Sequence, residues 1–136
     1  MRTLLKKFVE ISLAFSILTY TVPAYSFLTS LESGGVIEGT ASWYAEFSPG
    51  VRPTTANMER FDHHKYTCAI WDIPFDTVLE VKNLHNGKVV HVRVNDRGPA
   101  KRLCREGRVI DLTKASFAKI ADLGEGLVKV RVRIAE

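Results

Sequence analysis

The 136-residue sequence is poor in the features that usually place a protein quickly. It has two cysteines, Cys68 and Cys104, without C-x-x-C spacing, which makes a zinc site a poor reading. His63 and His64 are adjacent and so project differently, and no acidic or histidine partner stands at ligand spacing, so no metal is expected. The leading apolar stretch, Phe8 to Leu18, is interrupted by Glu10 and falls short of the ~20 residues that a spanning helix needs. There is no internal repeat and no low-complexity tract, and a hydrophobic content of 46% argues against a disordered chain. Charge of one sign is also scarce. The formal +4 falls to +2 once residues 1–26 are set aside, too little to argue for nucleic acid, though compatible with weak attraction to an anionic polymer.

What is present begins with an export signal. Arg2, Lys6 and Lys7 form a basic start, an apolar stretch follows, and small residues stand at Ala24 and Ser26. Residues 1–26 therefore read as a signal peptide, cut after Ala24 or Ser26. No cysteine follows to carry a lipid. The expected product is exported, periplasmic or secreted, not lipid-anchored and not stably inserted in a membrane. In an oxidising compartment Cys68 and Cys104 can pair, stabilising the fold by roughly 3–4 kcal/mol on a chain-entropy model. The other reading is that Cys68, inside Cys68-Ala69-Ile70, is simply buried.

Residues 27–38 read as a short lead-in and 39–136 as one folded domain. Thr40 to Tyr44 reads as a first strand, the Pro- and Gly-bearing Glu46 to Thr55 as a loop, and Ala69 to Ile73 as a short strand stopped by Pro74. Val78 to Leu84 and Lys88 to Val94 flank Asn86-Gly87, the signature of a two-residue hairpin turn. Val90, Val92 and Val94 then share one face, and Val128 to Ile134 alternates in the same way. Leu112 to Leu123 is the one good helix, capped by Thr113 and ended by Gly124. About six short strands and one short helix in so small a domain predict an all-β, closed barrel, because closure removes exposed edges.

Five motifs occur in order: Ala41-Ser42-Trp43-Tyr44, Thr55 to Asp62 (TANMERFD), Ile73-Pro74-Phe75, Val94 to Pro99 (VNDRGP) and Arg108 to Leu112 (RVIDL). Together they resemble the rare lipoprotein A (RlpA) family of septal lytic transglycosylases. The resemblance spans residues 39 to about 134 and implies a six-stranded double-psi β-barrel. It also implies endolytic cleavage of naked peptidoglycan glycan strands, stripped of stem peptides, between N-acetylmuramic acid and N-acetylglucosamine, leaving 1,6-anhydro ends. Peptidoglycan glycan would be the partner, with no metal, no organic cofactor and a monomeric protein. The chain departs from the family at three places: Ile70 stands where many members carry histidine, Met58 where glycine is usual, and Ala45 where glycine is frequent.

Glycosidic cleavage needs a proton delivered to the leaving oxygen, usually from a carboxylic acid. Asp96, at a strand end in the Asn-Asp-Arg-Gly-Pro motif, is the candidate acid/base. It is expected at the mouth of a groove between the barrel and the Ala56 to Asp62 loop. Glu59 and Asp62 match the family's other acidic positions and are further catalytic candidates. Tyr44, Trp43, Asn57 and Arg97 are the substrate-binding candidates, the aromatics by stacking on sugar rings. Trp71 reads equally as core or groove, and Asp111 as structural, organising the start of the helix. The competing reading is a non-catalytic, expansin-like glycan-binding module, favoured by Ile70. A third is a small secreted effector or inhibitor that uses the barrel for protein contact.

Overall fold

A computed structural model describes residues 34–136; the expected signal peptide and residues 27–33 of the lead-in lie outside the described residues. The strands are β1 (Ile37–Tyr44), β2 (Thr67–Ala69), β3 (Val78–Asn83), β4 (Val89–Asp96), β5 (Arg108–Thr113) and β6 (Val128–Ile134). A short helix α1 (Lys101–Cys104) precedes β5, and helix α2 (Lys114–Ile120) follows it directly. The strands close into a barrel in the order β1-β5-β2-β4-β3-β6. Two pairs, β1 with β5 and β2 with β4, run parallel, and the other neighbours are antiparallel.

The interior follows from side-chain alternation. Val90, Val92 and Val94 of β4 and Val128, Val130 and Val132 of β6 face inward with Leu79, Val81, Ile110 and Leu112. Phe117 and Ile120 of α2, both fully buried, join this same core as the helix packs on β1, β4 and β5. Thr113 caps α2, its Oγ1 accepting from the Ser116 N–H. At the other end, the Asn83 and Asn86 side-chain amides both donate to the Ile120 carbonyl at 2.8 Å, which satisfies an otherwise orphan acceptor.

Several sequence expectations change. The helix is shorter than Leu112 to Leu123, because Leu112 and Thr113 are still paired in the sheet and the chain turns extended at Ala121. The hairpin loop is longer than two residues: the last ladder pair is Lys82 with Val89, and the Leu84 N–H is drawn to Lys129 of β6 at 2.9 Å. The second strand is Thr67–Ala69 rather than Ala69 to Ile73, and β1 starts at Ile37, inside the expected lead-in. Strand β5 replaces the role assigned to Asp111, which sits within it rather than at the helix start. The disulfide is not formed: Cys68 is a buried thiol of the core and Cys104 a free one that donates to the Pro99 carbonyl.

Gly39 shows how tightly β1 meets β5. A Cβ there would collide with the Val109 side chain and the Gly107 carbonyl, so no larger residue fits without moving backbone. Phe117→Ala should lower the unfolding free energy by about 3–5 kcal/mol in urea titrations. A loss below about 1 kcal/mol would mean that the site collapses around the void and that Phe117 does not anchor the core.

Candidate active site

Strand β4 carries a bulge where it pairs with β2. Cys68 faces Val94 and Ala69 faces Asp96, so Asn95 is the extra residue. Strict alternation after Val90, Val92 and Val94 would send Asp96 into the barrel; the bulge turns it out half-buried instead. The carboxylate is then fixed by three donors. Oδ1 accepts from the Ala56 and Arg97 N–H groups at 2.9 Å each, and Oδ2 accepts from the Tyr44 hydroxyl at 3.2 Å.

Asp96 lines a cleft of about 490 Å³ with Tyr44, Arg97, Arg52 and the Thr54 to Met58 segment. The loop wall is fastened to β4 by one polar network. Arg93 of β4 grips Glu59 with Nη1 and Nη2 at 2.7 and 2.9 Å, and Asn95 donates to the same carboxylate at 3.1 Å. Asn57 donates to Glu59 from its side chain at 2.9 Å, and its backbone N–H donates to the Asn95 carbonyl at 3.2 Å. These hydrogen bonds, those from Arg93 first, pull the Glu59 carboxyl from 4.5 down to about 2.

Glu59 therefore stays charged at neutral pH and does not line the cleft, which makes it a fastening rather than a proton donor. Asp62 also lies off the cleft: its Oδ1 accepts from the His64 N–H at 2.9 Å as a turn aspartate. Asn57 serves the loop's internal bonds, with Oδ1 accepting from the Thr55 hydroxyl at 2.6 Å. The two aromatics of β1 separate by alternation. Tyr44 faces the cleft, stacked on Phe61 at 4.6 Å between ring centroids. Trp43 faces away, packed on the core with its indole N–H on the Leu123 carbonyl at 3.0 Å. Trp71 is tied to the Pro99 carbonyl at 2.6 Å, with the Lys101 ammonium over its ring.

Two features escaped the sequence reading. Asp111 is a second carboxylate beside Asp96: it accepts from the Ser42 hydroxyl at 2.5 Å and packs behind Gly98, where a Cβ would lie 3.3 Å from its Oδ2. Burial pushes its carboxyl up, and the charge of Asp96 adds to that shift. The signal was a polar Ser42 and a polar Asp111 at matching positions of paired strands. Tyr44 is likewise raised, by burial first and then by Asp96, so its hydroxyl remains a neutral donor. The second feature is Met58, a non-glycine residue at φ 70°, highly exposed on the cleft wall. That left-handed backbone explains why glycine suits the position. Ile70 is buried in the core, and its backbone N–H donates to the Asp96 carbonyl at 3.3 Å.

A closed six-stranded barrel of this kind is the double-psi class. Among solved structures, the Streptomyces papain inhibitor superposes with a TM-score of 0.58 at 24% identity, covering 76% of this chain and 96% of that one. An unliganded expansin of Clavibacter michiganensis gives 0.57 at 17% identity over 74% and 50%. The family model described as lytic transglycolase matches residues 36–132, and the chain belongs to that RlpA-like family. It is 46% identical over 101 residues to the "Probable endolytic peptidoglycan transglycosylase RlpA" of Treponema pallidum, covering 74% of this chain and 30% of the relative. It is 34% identical over 116 residues to the "Endolytic peptidoglycan transglycosylase RlpA" of Campylobacter jejuni, covering 85% and 40%. The chain thus spans less than half the length of these curated relatives.

The lowered Glu59 carboxyl gives stability that is fully present above about 4.5 and is lost as pH falls through about 2. Thermal midpoints of Glu59→Gln should therefore lie below wild type at neutral pH and converge with it toward pH 2. A constant gap across that window would show that the ion pair does not fasten the loop.

Proposed function

We propose that the protein is an endolytic lytic transglycosylase that cuts naked peptidoglycan glycan strands between N-acetylmuramic acid and N-acetylglucosamine. The observation that carries this reading is Asp96: it is the one carboxylate lining the cleft, and three hydrogen bonds, from β1, the Ala56 loop and the residue that follows β4, orient it. Asp96 donates its proton to the glycosidic oxygen as the bond from that oxygen to the muramoyl anomeric carbon breaks. The muramoyl 6-hydroxyl then bonds to the same carbon and returns its proton to Asp96, closing a 1,6-anhydro ring. No water enters the product. The Tyr44 hydroxyl, kept neutral, holds the Asp96 carboxylate through both transfers. Asp111, half-buried beside it, packs against Gly98 and supports the position of Asp96 rather than touching substrate. In this reading the enzyme is exported, acts in the cell envelope and works as a monomer.

One observation favours a second reading. Ile70 packs into the core at the position where the resemblance implies histidine, and isoleucine moves no proton. A chain that needed that histidine would bind glycan without cutting it.

Digestion of isolated glycan strands, read by mass spectrometry, separates the two. The wild type should release 1,6-anhydro ends, and Asp96→Asn should lose about 10²–10⁴-fold in rate while still pelleting with glycan. Binding without any anhydro product would establish the binding module, and wild-type activity in Asp96→Asn would remove Asp96 from the chemistry.

A further inference from the structure

The outer face of the barrel carries a charge pattern that the cleft does not use. In the closed order of strands, β6 stands opposite β2, the strand whose Ala69 pairs with Asp96. The outward positions of β6 are all basic: Lys129, Arg131 and Arg133 alternate with the buried Val128, Val130 and Val132. Its neighbours add Lys82 and Glu80 from β3 and Glu38 from β1, so four cations stand against two acids on these three strands. Arg131 is held by Glu38 at 2.7 Å, and Arg133 by Glu80, with Glu136 at 3.9 Å. Lys82 and Lys129, both exposed, form no ion pair among the described residues.

Lys82 is the informative residue. Its cross-strand neighbours are Arg131 on β6 and Val89 on β4. Like charges directly opposite one another weaken a sheet, and an acid at position 82 would have stabilised this one instead. Lys82, Arg131 and Arg133 also line one depression of about 330 Å³ together with Val36 and Glu80, and it shares no residue with the cleft. Val36 and Val89 are exposed at 49% and 40%, so apolar tips stand beside the cations.

We infer that this β1-β6-β3 face is a reversible docking surface for the anionic headgroups of a lipid leaflet. Its shape and chemistry select a leaflet over a threaded polyanion. The cations occupy two adjacent strands, about 4.8 Å apart, and extend roughly 13 Å along β6, which makes a plane rather than a file. Valine tips offer nothing to a hydrated polyanion, but they gain by entering the boundary between headgroups and acyl chains. The unpaired lysines are drawn by the negative surface potential of such a leaflet. Because β6 lies across the ring from β2, a protein seated in this way keeps its cleft clear of the lipid. Such docking is independent of whether the cleft cuts glycan.

Sedimentation with vesicles tests this on the mature protein, with residues 1–26 removed. Vesicles of phosphatidylcholine with about one-third phosphatidylglycerol should pull down the wild type, and pure phosphatidylcholine should not. Lys82→Gln and Lys129→Gln should each weaken binding about fivefold and together about 25-fold, while Lys82→Arg with Lys129→Arg should keep it. Thermal midpoints of the glutamine variants should be no lower than wild type, since both lysines are exposed and unpaired. Salt of about 1 M, where the screening length is about 3 Å, should release the protein. Lys65→Gln with Lys119→Gln removes the same charge from exposed positions before β2 and on α2, and should change binding by less than about twofold. Equal binding to both kinds of vesicle, no binding to either, or equal loss in the two lysine pairs would overturn the inference. Binding to soluble poly(glycerol phosphate) without binding to the anionic vesicles would make the occupant a free polymer and overturn it as well.

Discussion

The bidentate ion pair between Glu59 and Arg93 is the contact on which the site depends. It joins the Thr54 to Phe61 loop to strand β4, two segments far apart in sequence, at the place where β4 bulges. Packing holds this loop at its Phe61 end, where the ring stacks on Tyr44, while Met58 at its tip is exposed and left-handed. With Asn57 and Asn95 completing the network, the loop's Ala56 N–H meets Asp96, and the space between loop and barrel becomes a cleft. Part-exposed ion pairs are usually weak. This one matters for where it holds the loop more than for the free energy it adds.

The barrel supplies the second constraint. Closure leaves Asp96 little freedom, since its strand is paired on both sides, with β2 and β3. One inserted residue then decides whether the carboxylate faces core or cleft. The same tight geometry puts Asp111 behind Gly98, close enough for the two carboxyl groups to influence each other. Two aspartates in different surroundings, Asp96 lining the cleft and Asp111 off it behind Gly98, give the site an asymmetry that exposed turn residues would lack.

Legibility in the sequence tracked the range of the interactions. The alternating valines of β4 and β6, and the placing of Asp96 at a strand end, are local signals, and a periodic pattern reports them. The helix cap at Thr113 was equally local. Strand β5 was obscured because its last residues also begin a helical pattern, and only pairing with β1 and β2 decides for the sheet. The task of Glu59 was hidden because its partner Arg93 lies 34 residues away. Trp43 and Tyr44 are neighbours that alternation must separate, yet which of them faced the groove depended on the position of the Leu123 carbonyl and of Phe61. The family motifs carried the rest, marking Asp96 without revealing the bulge that presents it.

A crystal structure of the Asp96→Asn protein with a muramoyl-containing glycan oligosaccharide tests the central claim most directly, that bond cleavage belongs to the cleft between β4 and the Glu59-fastened loop. The account predicts the glycosidic oxygen within roughly 2.6–3.2 Å of the residue-96 side chain. A sugar seated on another face of the barrel, with the cleft left to solvent, would contradict it.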